Sequence, residues 1–493
     1  MQERPLLLAI LLFGFALALF GTYWDDSWHT EKGRDGFLAP PHVALYVGIT
    51  LAGGALAVWA LLNIRSRGVR RTLRSPSPLL ALLGVGTTLG AAPIDNAWHL
   101  AFARDAVIWS PPHMLGVAGT LAIAAAMLLE LSAATTPGGR FAAVAAGAGV
   151  VAAGSIPVLE YETDVPQFDL ILYLPVLSLG SSFALGLVRR ALSVSFSATL
   201  VTAAHLAAMS IVVVALLALS MPAPLLPALV LPALAVDWAA RRRLSAAPAA
   251  ALYAALLAAA YVPYLDLLKN DVFLGPREVF LGVPLAFLAA WASFAATGWN
   301  GGGGFRLPRR WSAAAAVLAL ATLVPLAAAP RAQAHDPGQG QEVATAALTA
   351  SSVDERASLA VDLRGSSHCR DVRPLRLLAR RAGDVVRSPL AANGRCQFSG
   401  TVDLPDRGRW FLYAELDHGG ETVETWVPVH SGQAEQLSAA RSLYIPPSTE
   451  SSPLKWVAGV VAYLIVAALL LAICHLYRAS TGRRSALEPH QSN

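Results

Sequence analysis

The chain has 493 residues, of which 55% are apolar and only 14% charged; a mean hydropathy of +0.52 excludes a soluble enzyme of ordinary composition. A net charge of +5 would point to nucleic acid in a soluble chain, but the arginines here are sorted by loop, which leaves membrane lipids as the surroundings and excludes nucleic acid. No Walker loop, dinucleotide fingerprint or serine-nucleophile elbow is present, and Gly301 to Gly304 reads as a linker.

A hydrocarbon core of roughly 30 Å needs about 20 apolar residues per helix. Runs near that length predict about twelve spans: 5–23, 42–63, 78–94, 113–133, 141–158, 171–191, 198–219, 223–240, 247–264, 277–297, 311–331 and 455–477. Arg65, Arg67, Arg70, Arg71 and Arg74 fill the second connection, Arg189 and Arg190 the sixth, Arg241 to Arg243 the eighth, and Arg306, Arg309 and Arg310 the tenth. By the positive-inside rule these connections face the cytoplasm. The alternate ones carry Asp25, Asp26, Glu31 and Asp35, then Asp95 and Asp105, then Glu160, Glu162, Asp164 and Asp169, then Asp266, Asp271 and Glu278. The expected setting is a bacterial-type inner membrane with both termini cytoplasmic. The stretch Glu160 to Asp169 reads as an outward acidic loop, with a cation-attracting vestibule as the alternative.

After the eleventh span the composition shifts towards Ser, Thr, Asp and Gly. Period-2 alternation appears in Arg409–Glu415 and Glu421–Val429, predicting an extracytoplasmic β-sandwich of immunoglobulin-like or cupredoxin-like topology. Cys369 and Cys396 lie in it and pair most simply as a disulfide in an oxidising exterior. Cys474, in the last span, reads as inert packing. The expected domains are 1–135 (metal-binding repeats), 136–331 (further helices), 332–454 (β domain), 455–477 (last helix) and 478–493 (tail).

Internal repetition carries the chemistry. One loop reads Asp25, Trp28-His29, Arg34-Asp35 and Pro40-Pro41-His42; another reads Asp95, Trp98-His99, Arg104-Asp105 and Pro111-Pro112-His113. A weaker third copy runs from Asp271 to Glu278, with Glu278 in the place of the second histidine. Residues four apart on a helix share a face with Cβ atoms about 5–6 Å apart, so Asp25 with His29, and Asp95 with His99, can grip one ion. A Pro-Pro pair starts the returning helix and puts His42 or His113 in its first turn. The result is two sets of two histidines and one carboxylate, with Arg34, Asp35, Arg104 and Asp105 as loop-fixing pairs or supports of the ligands. An interfacial ion pair is the plainer alternative for one copy, but two matching copies favour metal. The donor types suit copper, zinc or non-haem iron.

Asp25-x3-His29-x12-His42, with Trp28, Arg34 and Pro40, resembles the copper site in the C subunit of particulate methane and ammonia monooxygenases. Asp95-x3-His99-x13-His113 resembles that subunit's second metal-binding loop, where an amide is expected in place of Asp95. The resemblance covers residues 1–135 and implies copper on one or both sets. The β domain is loosely similar to the cupredoxin-like B subunit. The resemblance also implies partner subunits of the monooxygenase type. Ala332-Gln333-Ala334 before His335 reads like a signal cleavage site, which would leave His335 as an N-terminal copper chelator with His368, His418 or His430.

Three classes follow. The first is a copper-dependent membrane monooxygenase acting on a small apolar molecule with dioxygen. The second is a copper-handling or transport protein that captures the ion outside and passes it to a carrier, a partner or across the membrane. The third is an assembly subunit whose metal sites are relics.

Overall fold

The computed structural model describes residues 4–32, 38–102, 108–166, 168–268, 272, 274–299, 341–364, 372–381, 384–446 and 453–485; the side chains of residues 99, 100, 102 and 481–485 are outside this description. Its helices are α1 (Pro5–Glu31), α2 (Pro40–Arg67), α3 (Val69–Leu73), α4 (Pro76–Phe102), α5 (Pro111–Leu131), α6 (Pro137–Ser155), α7 (Leu159–Glu162), α8 (Tyr173–Ala191), α9 (Ser197–Ala218), α10 (Val230–Arg241), α11 (Ala246–Leu267), α12 (Pro276–Thr297) and α13 (Pro453–Ser485). Among the described residues, ten helical segments are long and apolar enough to cross a membrane. The predicted span 311–331, with His335 beyond it, lies outside the described residues.

Two sequence expectations are corrected. The run 223–240 is not one span: Met221 to Leu229 has no regular structure, and only the twelve residues of α10 are helical. Pro222, Pro224 and Pro227 remove the amide donors that a helix needs there. Buried backbone outside helices and strands must find its partners elsewhere in the protein. The Leu225 amide donates to the Glu162 carbonyl at 3.0 Å, the Ala228 amide to the Tyr261 hydroxyl at 3.1 Å, and the Tyr264 hydroxyl to the Leu226 carbonyl at 2.9 Å. The acidic stretch is also no exposed loop, because Glu160, Glu162 and Asp164 are all buried. A 3₁₀ turn at Ile156–Val158 lets α6 run on into α7, drawing them beneath the β domain.

The repeat seen in the ligands extends to the packing. Gly14 on α1 faces Gly48 on α2, where a Cβ on Gly48 would lie 2.7 Å from the Gly14 carbonyl oxygen; Gly84 on α4 faces Gly119 on α5, where a Cβ on Gly84 would lie 2.8 Å from the Gly119 oxygen. Gly14 and Gly84 are 70 positions apart, as are Asp25 and Asp95; Gly48 and Gly119 are 71 apart, as are His42 and His113. Small residues let helix backbones approach closely in an apolar bundle. Each copy is therefore a hairpin closed by glycine, with its metal-ligand types at one end.

The β region comprises β1 (Gln341–Val353), β2 (Arg356–Asp362), β3 (Val372–Arg381), β4 (Asp384–Ser388), β5 (Ala391–Gly394), β6 (Gln397–Asp403), β7 (Gly408–His418), β8 (Glu421–Ser431) and β9 (Glu435–Ile445). The nine strands form one antiparallel sheet in the order β4-β3-β7-β8-β9-β1-β2-β6-β5. The expected separate sheets are instead joined, because Glu424 on β8 pairs with Tyr444 on β9. The sheet curls around a core that includes Leu348, Leu359, Phe398, Trp410, Leu412 and Val427. Alternation in β7 does not mean one wet face: Trp410, Leu412 and Ala414 enter that core, while Phe411 and Tyr413 pack with Trp426, Tyr444 and Val165. Val165 belongs to the segment after α7, so the helical region packs on this patch of the sheet's outer face. Cys396 is disulfide-bonded and Cys474 is free and buried; Cys369 lies outside the described residues.

Charged groups clamp the two regions together. An Asp164 oxygen lies 3.0 Å from the Arg381 guanidinium, and its other oxygen accepts from the Arg409 amide at 2.7 Å. Arg441 of β9 donates to the carbonyls of Glu31 at 2.8 Å and Lys32 at 3.1 Å, which caps the C-terminal end of α1. Asp164→Ala removes the carboxylate beside the buried Arg381, whose guanidinium still donates to the Arg409 carbonyl at 2.9 Å, and is expected to cost about 1–3 kcal/mol. Hydrogen exchange should then rise in β3 and β7; unchanged protection of both strands would show that Asp164 does not hold the domain.

Candidate metal centre

The helices place Asp25, His29, His42 and His113 at helix ends and helix starts. α1 runs beyond its apolar stretch to Glu31, so Asp25 and His29 sit one turn apart on it. Pro40 and Pro41 open α2 and put His42 in its first turn; Pro111 and Pro112 do the same for His113 on α5. Ser110 caps α5 by accepting the His113 amide at 3.4 Å, whereas Ala39 gives α2 no side-chain cap.

Asp25 joins the first set. Its Oδ1 lies 3.0 Å from His42 Nε2 and 3.7 Å from His29 Nε2. One donor atom from each of Asp25, His29 and His42 falls within 4.8 Å of the others. Metal bonds of about 2.0–2.2 Å separate tetrahedral donors by about 3.4 Å. The observed spacings bracket that value, so the three side chains fit one ion with small rotations. In the second set Asp95 Oδ1 lies 3.2 Å from His113 Nε2. His99 is on α4 one turn after Asp95, with its side chain outside the described residues.

The sequence reading treats the sets as two sites, but one cavity takes in both. Its walls include Asp25, His29 and His42 from the first hairpin and Asp95 and His113 from the second, with Asp26, Tyr46 and Ile108 between them. The two glycine-closed hairpins face each other across this space, the first offering Asp25, His29 and His42 and the second, among the described residues, Asp95 and His113.

Several flanking residues escape the motif. Tyr46 packs its ring 5.9 Å from that of His42. Asp26 lines the same cavity beside Asp25. Glu160 accepts the Ile108 amide at 2.8 Å, Trp109 Nε1 donates to the Pro157 carbonyl at 2.9 Å, and both contacts hold the turn that leads into Ser110 and His113. No sequence signal marks Glu160 as a neighbour of His113, because 47 residues separate them.

Other expected positions fall elsewhere. Glu278 sits in the first turn of α12, 3.5 Å from Arg277, and does not line the cavity. Arg34, Asp35, Arg104, Asp105, His335 and His368 lie outside the described residues. His430 pairs with Glu435 at 3.1 Å within the β region. His205 is buried in α9.

Comparison with known proteins returns no match: no family, no curated protein and no solved structure is similar to this chain.

Proposed function

We propose that this chain is a copper-binding integral membrane protein of the monooxygenase type, with its metal cavity near the outer face of a bacterial-type inner membrane, both termini cytoplasmic and the β domain outside. The observation that carries the reading is the convergence of Asp25, His29 and His42 with Asp95 and His113 on one cavity. Two imidazoles and a carboxylate suit copper, with zinc and non-haem iron as chemical neighbours. Asp25, His29 and His42 would hold one ion; Asp95, His99 and His113 would hold another. Bound copper would supply the redox chemistry for reaction of dioxygen with a small apolar substrate. The protein's own residues place the ligands: the glycine contacts set the distance between α1 and α2, and Glu160 and Ser110 fix the approach of His113. Partner subunits of the monooxygenase type, or a copper carrier, complete the proposal.

The test is metal analysis by mass spectrometry with electron paramagnetic resonance on detergent-purified protein. Two copper equivalents are expected in the wild type, and His113→Ala should lose one while keeping the signal of the Asp25 set. Zinc or iron in both sets would overturn copper and keep the ligands; no metal in the wild type would reduce both sets to ion pairs.

A further inference from the structure

A second cavity lies behind the first, between α5, α6, α8, α12 and α13, about 1100 Å³ when the part open to the surroundings is counted. Val117 of α5 lines both; Met114 and Leu121 turn to the second cavity while His113 and Gly116 turn to the first. The remaining walls are aliphatic or aromatic, including Phe183, Val466 and Leu470. Its few polar side chains are already engaged or weak. Trp109 Nε1 donates to Pro157, the Tyr463 hydroxyl to the Trp109 carbonyl at 2.5 Å and Ser293 to the Leu179 carbonyl at 3.0 Å. Cys474 offers a buried thiol, a weak donor. Among the described lining residues nothing remains to orient a polar ligand, which suits a hydrocarbon occupant.

Length narrows the occupant further. On α13 the lining runs from Tyr463 to Cys474, which at 1.5 Å per residue is about 16 Å. One leaflet of a hydrocarbon core about 30 Å thick is about 15 Å deep. The cavity is as long as one lipid chain is in its own leaflet. We infer that it takes the acyl chain of a bilayer lipid, seated between α5 and α13 against the Val117 wall of the metal cavity. The inference rests on the membrane setting of the proposed function and is independent of the metal.

The test is photolabelling of the full chain in nanodiscs of phosphatidylcholine bearing a diazirine near the end of one acyl chain, with the adducts mapped by mass spectrometry. Adducts are expected on Met114, Leu121, Val466 and Leu470, besides outward-facing Phe280 and Ile211. Ala467→Phe and Ala292→Phe fill the cavity from different walls and should weaken the inward adducts about tenfold, because added bulk displaces what it overlaps, leaving the outward ones unchanged. Wild-type adducts confined to outward residues would overturn the proposal, even if neither variant folds. So would inward adducts that neither substitution reduces, or diazirine-independent crosslinks showing residues 300–340 of the chain in the cavity. Metal content measured on the same samples separates the two readings: wild-type protein without metal but with inward adducts defeats the metal centre alone.

Discussion

His42→Ala is expected to abolish metal binding at the Asp25 set, lowering affinity by more than about 100-fold. Outer-shell changes at metal sites already cost about 10–100-fold, and this substitution removes a donor outright. His42 is the only member of the set supplied by α2, and it lies 3.0 Å from Asp25 Oδ1. Asp25 and His29 share α1 and would remain 3.7 Å apart, but a carboxylate and one imidazole leave the ion two donors from the protein. Because His42 is in the first turn after Pro40-Pro41, where the helix start is set by proline rather than by the imidazole, α2 should keep its place. Metal analysis should read one equivalent fewer with unchanged circular dichroism. Retained metal at wild-type affinity would sink the assignment.

Gly48→Leu should have the largest effect on stability, although it touches no ligand. A Cβ at this position would press on the Gly14 carbonyl at 2.7 Å and on Ala18 backbone atoms. Backbone cannot move aside as a flexible side chain can, so α1 and α2 must separate. Overpacking costs about 1–3 kcal/mol where side chains can adjust, and about 3 kcal/mol or more is expected here. The separation also carries His42 away from Asp25, so metal loss accompanies the lower melting temperature in detergent. Gly54→Leu, six residues along the same helix and with nothing within 4 Å of its Cβ, is the control and should stay within about 0.5 kcal/mol of wild type. Equal melting temperatures for the two variants would show that the close approach of α1 and α2 is not a fixed feature of the fold.

Most of the helical region is legible from hydropathy, and the departures have local causes. Three prolines between Met221 and Leu229 break a run whose apolar content suits a span. The burial of Glu160, Glu162 and Asp164 escapes a reading based on loop charge, because their partners are far along the chain: Ile108 for Glu160, Leu225 for Glu162, and Arg381 and Arg409 for Asp164. In β7 the alternation correctly signals a strand, but Phe411 and Tyr413 are buried as well, against the helical region rather than in water. The repeat is legible in the Asp and His residues, and the same offset relates Gly14 to Gly84 and Gly48 to Gly119, a signal present in the sequence but hidden among many other glycines.

By itself the sequence determined the helices, the strand-rich segment, the helix-start positions of His42 and His113, and the one-turn spacing of Asp25 from His29. Each of these depends on neighbours within a few residues: apolar run length, proline geometry and helical periodicity act locally. Only the tertiary structure decided that the first ligand set and Asp95 with His113 share one cavity, that Glu160 steadies the turn before His113, and that Arg441 caps α1. Those relations depend on how closely helix backbones approach and which faces they turn to each other, which glycine contacts and the docked β sheet settle between residues far apart in the chain.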